Sequence, residues 1–224
     1  VFNFSSLGFN AVNFESVELF LKVGEFSIAT SYLIVGNWQN ETLDVASVAG
    51  GVTTNPYLVF GLGGNDSLVG SDGDDVLVGG SSNDTHSGGN GNDTFIVVDG
   101  DGDDEFNGGA GTDRVIAAGD NTEISLRNNF TAANEVEEIS ANGFSGVTIH
   151  GNWQNNVLDF SSTTLTGIDT IDGEGGADTI TGTANADIII GGTGDDTLNG
   201  GDGDDTFLVG PGDGDDVFNG GAGT

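Results

Sequence analysis

Gly88-Gly89-Asn90-Gly91-Asn92-Asp93-Thr94-Phe95-Ile96 states a period of nine: glycine at the first, second and fourth places, aspartate at the sixth, an apolar residue at the eighth. The segments beginning at Gly108, Gly191 and Gly200 repeat it in full. Degraded copies begin at Gly61, Gly70, Gly79, Gly173 and Gly182, where Leu62, Ser71, Glu174 or Thr183 replaces a glycine and Ser82 or Asn185 fills the fourth place. Their aspartate remains in phase.

A longer repeat encloses the short one. Gly36-Asn37-Trp38-Gln39-Asn40 recurs as Gly151-Asn152-Trp153-Gln154-Asn155, and Gly108-Gly109-Ala110-Gly111-Thr112 as Gly220-Gly221-Ala222-Gly223-Thr224. The chain divides into units 1–112 and 113–224, each a strand-rich part (1–60, 113–172) followed by a nonapeptide part (61–112, 173–224). Spacing drifts from 115 at the Trp motif to 112 at the glycine motif, which implies small insertions in connecting turns. The second unit stops inside its own motif, so further units are expected to flank this segment.

Composition narrows the chemistry. The 224 residues carry 36 Asp plus Glu against three basic residues, Lys22, Arg114 and Arg127, for a net charge of −33. Nucleic acid and anionic membrane are therefore poor partners. Such acidity belongs either to a disordered solvating chain or to one neutralised by cations, and carboxylates in register with glycine and aliphatic residues favour cations. There are 41 glycines, two prolines and no Cys or Met, so disulfides and thiolate metal sites are ruled out and any staple uses oxygen ligands. No apolar run approaches the roughly 18 residues of a membrane span, and membrane insertion is not expected.

These nonapeptides resemble the Gly-Gly-x-Gly-x-Asp-x-U-x repeats of the RTX (repeats in toxin) family of secreted calcium-binding proteins, over roughly half the chain. The resemblance implies an all-β fold: a parallel β-roll, or β-solenoid, with calcium ions stacked between turns. Six residues make a turn and three a strand, two nonapeptides complete a coil, and successive motifs alternate between two sides.

The chemistry suits that arrangement. Glycines at the first, second and fourth places allow dihedrals that a Cβ forbids, so that carbonyl oxygens converge. Calcium takes six to eight oxygens at about 2.3–2.6 Å, and the sixth-place carboxylate supplies the charge that carbonyls lack. The candidate ligands are Asp66, Asp75, Asp84, Asp93, Asp104, Asp113, Asp178, Asp187, Asp196, Asp205 and Asp216. Alternating sides pair Asp66 with Asp84, Asp75 with Asp93, Asp178 with Asp196 and Asp187 with Asp205. Inserted residues Val97 and Val98, and Val209 and Gly210, shift the next partners to Asp104, Asp113 and Asp216 without breaking the ladder. Acids at third and fifth places, such as Asp72, Asp74, Asp101, Asp103, Asp202, Asp204, Asp213 and Asp215, read as solvated loop charge.

Eighth-place Leu68, Leu77, Phe95, Phe106, Val115, Ile180, Ile189, Leu198, Phe207 and Phe218 are expected to point inward as a narrow apolar stack. Coils about 4.8 Å apart bury little area each, so calcium is expected to be a folding cofactor. Val17–Leu21 and Val136–Ile139 read as short strands. Gly36–Asp44 and Gly151–Asp159 fit the nine-residue frame with Glu41 and Asn156 at the sixth place, as coils with weakened or lost metal binding. His86, at an eighth place, and His150 read as packing or surface residues. Trp38 and Trp153 read as packing residues.

No nucleophile arrangement is present, and carboxylates committed to calcium cannot act as general acids, so no enzyme is expected. The expected function is a calcium-binding structural segment of a long secreted, extracellular or cell-surface bacterial protein (surface layer, adhesin stalk or filament), rigidified by calcium after export. Calcium and further copies of the same repeat are the expected partners. The alternative is a C-terminal accessory module of a secreted protease, lipase or polysaccharide epimerase. Ice binding is disfavoured, because the third places Gly63, Asp72, Ser81, Asn90, Asp101 and Ala110 form no rank of Thr or Asn.

Overall fold

The structure, a computed structural model, describes residues 22–23, 26–27, 32–48 and 54–223. The strand expected at Val17–Leu21 lies outside them. Apart from one antiparallel pairing of Lys22–Val23 with Phe26–Ser27, the strands pair in parallel and wind an all-β solenoid. Helix among the described residues amounts to one turn at Val45–Val48 and a 3-10 turn at Ala132–Asn134.

Three sheets form the walls. A long wall of nine strands takes Thr42–Asp44, Ser67–Ser71, Thr85–Asn90, Asp103–Ala110, Glu123–Leu126, Thr148–Asn152, Thr170–Glu174, Ile188–Ile190 and Thr206–Leu208, in that order. Opposite its first part stands a seven-stranded wall running from Tyr32–Val35 through Tyr57–Gly63, Val76–Ser81, Thr94–Val97, Arg114–Ala117 and Glu138–Ser140 to Thr164–Thr166. Opposite its last part stands a four-stranded wall of Val157–Asp159, Thr179–Thr181, Thr197–Asn199 and Val217–Asn219.

Where nonapeptides run uninterrupted a coil has two sides and eighteen residues: Ser67 pairs with Thr85, Leu77 with Phe95, Ile180 with Leu198. In the middle of the chain the coil gains a third side. From Thr148–Asn152 on the long wall the chain visits Val157–Asp159 and then Thr164–Thr166 before returning at Thr170–Glu174. The three-sided coils carry the chain to the opposite wall. Val76–Ser81 lies on the seven-stranded wall, whereas Ile188–Ile190, which begins 112 residues after Val76, lies on the long wall. Pairing runs unbroken across residue 112, since Arg114–Ala117 pairs with both Thr94–Val97 and Glu138–Ser140.

Period-two alternation places every other strand residue inside. Ile34, Val59, Leu77, Phe95, Val115, Ile139 and Leu165 stack in register on one wall. Leu43, Leu68, His86 and Phe106 do so on the long wall, and Leu158, Ile180, Leu198 and Phe218 on the third. Of the expected inward residues, Leu68, Leu77, Phe95, Phe106, Val115, Ile180, Ile189 and Leu198 are buried and Phe207 is half-buried. Phe218 stands in register on Leu198 and against the Phe207 ring at 5.4 Å, as expected, and is 46% exposed in the last described strand of its wall. The alternate residues Leu58, Phe60, Val76, Val78, Ile96 and Ile116 form a second buried cluster on the other face of the seven-stranded wall.

Candidate metal centre

The sixth-place aspartates stand at the entries to the strands, where the parallel register stacks each on the equivalent residue one coil away. One carboxylate oxygen is used in the same way along each row. Oδ1 of Asp84 accepts the backbone N–H of Asp66 at 2.7 Å, and Oδ1 of Asp104 that of Asp84 at 2.8 Å. On the opposite side Asp93 accepts from Asp75 and Asp113 from Asp93, each at 2.7 Å. In the second unit Asp196 accepts from Asp178, Asp216 from Asp196 and Asp205 from Asp187. The partners are 18 apart in the uninterrupted stretches and 20 apart across the inserted pairs, as the spacing requires.

The other oxygen differs. Oδ2 of Asp66, Asp84, Asp93, Asp113, Asp178, Asp196 and Asp205 is buried without any hydrogen-bond partner. A buried acceptor left unmatched costs about 1–3 kcal/mol, and more when charged, so seven in register require an explanation. Each faces the first glycine of its own motif. A Cβ built on Gly88 would lie 2.2 Å from Asp93 Oδ2 and 2.6 Å from the Gly108 carbonyl oxygen; on Gly173 it would lie 2.5 Å from both Asp178 Oδ2 and the Gly191 carbonyl oxygen. The first-place glycine is needed for space, since its φ is not left-handed as the sequence reading supposed. Left-handed φ occurs at the second and fourth places, 109° at Gly89 and 110° at Gly91. Carbonyl and carboxylate oxygens of two successive coils thus converge where a side chain would otherwise be.

Burial makes several of the row carboxyl groups reluctant to ionise. It pushes Asp84 and Asp93 up to about 7, Asp104 to about 8, and Asp178 to about 6. Neighbouring carboxylates in the row add to the shift.

Four sixth-place residues are built otherwise. Asp75 Oδ2 accepts both the N–H and the hydroxyl of Ser71, and Asp187 Oδ2 both those of Thr183. Asn156 Oδ1 accepts the N–H of Asn152, and Glu41 Oε2 that of Asn37.

Several residues were missed or misjudged in the sequence. Glu137 extends a row, its Oε2 accepting the N–H of Asp113 at 2.7 Å; its place two residues before the inward Ile139 was the available signal. Fifth-place side chains are not merely solvated, for Asp74 accepts from Asn92 N–H and Asp195 from Asp215 N–H one coil on. Asp101 is buried, accepts the N–H of Val98 and is pushed up to about 7 by burial, which closes the loop over the inserted Val97 and Val98. His86 lies in the core, stacked on Phe106 at 5.0 Å, with both ring nitrogens unpartnered. His150 bridges Thr148 and Glu174, each at 2.8 Å. Trp38 and Trp153 do not pack inside, being 73% and 80% exposed on the loops.

The donors here are oxygens alone, which suits a hard divalent cation such as calcium and disfavours metals that seek nitrogen or sulfur. Among the described residues no three carboxylate or imidazole groups surround one point, so backbone carbonyls must complete any such site. The orphaned Oδ2 atoms and the carbonyls facing them fit that need. Comparison with curated proteins and with solved structures finds no match. The profile of the RTX calcium-binding nonapeptide repeat matches residues 60–95, 96–124, 163–188, 181–213 and 212–224, more than half of the chain. The chain therefore belongs to the RTX calcium-binding repeat family.

Proposed function

We propose that this chain is a calcium-dependent structural segment of a long secreted bacterial protein at the cell surface or beyond it, such as a surface layer, adhesin stalk or filament, which folds and stiffens when it meets calcium after export. The observation that carries this reading is the series of orphaned carboxylate oxygens at Asp66, Asp84, Asp93, Asp113, Asp178, Asp196 and Asp205. Asp104 and Asp216 belong to the same rows through their Oδ1 bonds. A divalent cation between coils would supply the missing partner and offset the repulsion between stacked carboxylates, of which Asp84, Asp93, Asp104 and Asp178 are made reluctant to ionise by burial. It would link successive coils along both sides of a narrow core.

The compartment acts as the switch in this reading. Extracellular modules of this kind bind calcium at about 10⁻⁴–10⁻³ M, far above cytosolic levels, so the chain stays unfolded for export and orders outside. The two 112-residue units act as elements of an array, with copies of the same repeat as neighbours.

Calcium titrated into the chelated chain, followed by far-ultraviolet circular dichroism with magnesium as the screening control, tests the switch. A cooperative gain of β-structure with calcium alone is expected. Full structure in chelator would overturn it.

A further inference from the structure

The four turns whose carboxylate or amide is already satisfied are not scattered. Glu41 stands before Asp66, whose Oδ1 accepts the Glu41 N–H at 2.8 Å, and so opens the row that continues through Asp84. Asp75 opens the row of Asp93 and Asp113; Asn156 opens that of Asp178 and Asp196; Asp187 stands before Asp205. Among the described residues each row thus starts with a closed turn.

The second place of the motif separates the two kinds. In closed turns it holds a short polar residue, Asn37, Ser71, Asn152 or Thr183, outside the left-handed region, and its N–H points at the sixth-place side chain. In three of them the same side chain also accepts the fourth-place N–H: Gly73 donates to Ser71 Oγ, Gln154 to Asn152 Oδ1 and Asn185 to Thr183 Oγ1. In open turns the second place is left-handed, which turns its N–H away. Glycine is not what opens them, because Leu62 at φ 81° and Glu174 at φ 74° adopt the same conformation ahead of the orphaned Asp66 and Asp178.

We infer that Asp75 and Asp187 hold no calcium, and that a Ser, Thr or Asn at the second place makes each row's first turn a metal-free cap. This rests on the calcium reading of the open turns. Asp75 and Asp187 Oδ2 each accept two donors already, and Oδ1 of Asp75 accepts the N–H of Tyr57 at 2.7 Å. Binding an ion there would break two hydrogen bonds that an open turn never had. A closed turn can therefore follow a coil that has no carboxylate to share, which lets metal-free coils run directly into metal-bound ones.

The test counts calcium ions bound to the whole chain by native mass spectrometry and equilibrium dialysis. Asp75→Asn and Asp187→Asn should leave the wild-type count unchanged, whereas Asp84→Asn and Asp93→Asn should each lower it by at least one. A lower count in Asp75→Asn or Asp187→Asn, with wild type loaded, overturns the cap alone; a wild-type chain that binds no calcium overturns the calcium reading beneath it. Should a variant fail to fold, anomalous scattering from strontium in wild-type crystals decides. Ions beside Asp84 and Asp93 but not beside Asp75 and Asp187 are expected, and an ion within ligand distance of either of the latter carboxylates would refute the cap.

Discussion

Oδ1 of Asp113 accepts the backbone N–H of Asp93 at 2.7 Å, across one coil and twenty residues of chain, while Oδ2 of the same carboxylate is buried with no partner. The two oxygens therefore answer different demands, one from the backbone and one from a cation. Asp113→Asn separates them, because the amide keeps an acceptor for Asp93 and removes the charge. In chelator the variant should melt at or above the wild-type temperature, relieved of a carboxylate that burial disfavours. In saturating calcium it should lose about 1–3 kcal/mol, the cost of breaking a buried charged contact. Equal melting temperatures for the two chains in calcium would remove Asp113 from the ligand set.

Acid should partly replace calcium. Burial raises Asp84 and Asp93 to about 7 and Asp104 to about 8, from an ordinary 3.8. Between those values the folded state binds more protons than the unfolded one, so the stability of the metal-free chain falls as pH rises through the window and is greatest below it. With calcium present the sign reverses, since protons compete for the same oxygens. Circular dichroism in chelator should show β-structure growing from pH 8 to pH 5, and calcium affinity should weaken over the same interval. Metal-free β-structure that declines on acidification would contradict the folded-state burial of these groups.

The parallel roll, the inward eighth places and the pairing of aspartates 18 and 20 residues apart were legible, because each follows from one short period and its phase. What escaped the sequence lay where the period lapses. The three-sided coils around Val157–Asp159 and Thr164–Thr166 keep only the first glycine of a nonapeptide, Gly151, ahead of Val157–Asp159, and their closure depends on long-range contacts such as the bridge from Phe130 to Leu158. The division between open and closed turns was also hidden, since Leu62, Ser71, Glu174 and Thr183 all look like the same loss of a second-place glycine. The structure separates them: Leu62 and Glu174 adopt left-handed φ, whereas Ser71 and Thr183 do not and aim a hydroxyl at the carboxylate. Exposure of Trp38 and Trp153 was likewise unreadable, because a loop third place carries no inside or outside phase.

His86 breaks the apolar column. It lies between Leu68 and Phe106 in the register, edge-on to Phe95 at 5.8 Å, and neither ring nitrogen has a partner. The residue 112 later is Leu198, fully buried at the corresponding point of the second unit. His86→Leu should therefore stabilise the calcium-loaded chain by about 1–3 kcal/mol, the cost of two unpaired polar atoms in a dry stack. Thermal denaturation at saturating calcium measures this, and a destabilised variant would mean that the imidazole finds partners in solution.

Two glycines of one stretch distinguish steric need from conformational need. At Gly100 φ is +80° and nothing lies within 4 Å of a Cβ, so Gly100→Ala costs only the left-handed strain, about 1–2 kcal/mol. At Gly88 the φ is ordinary, but a Cβ would meet Asp93 Oδ2 at 2.2 Å and the Gly108 carbonyl oxygen at 2.6 Å, and the carbonyl belongs to the next coil's backbone and cannot rotate aside. Gly88→Ala should thus cost about 3 kcal/mol or more and weaken calcium binding, because the methyl group displaces the oxygens that converge there. Paired calcium titrations and melts of the two variants decide the matter. A Gly88→Ala chain no worse than Gly100→Ala would show that the first-place glycine serves the backbone alone and that the space beside Asp93 is not needed for an ion.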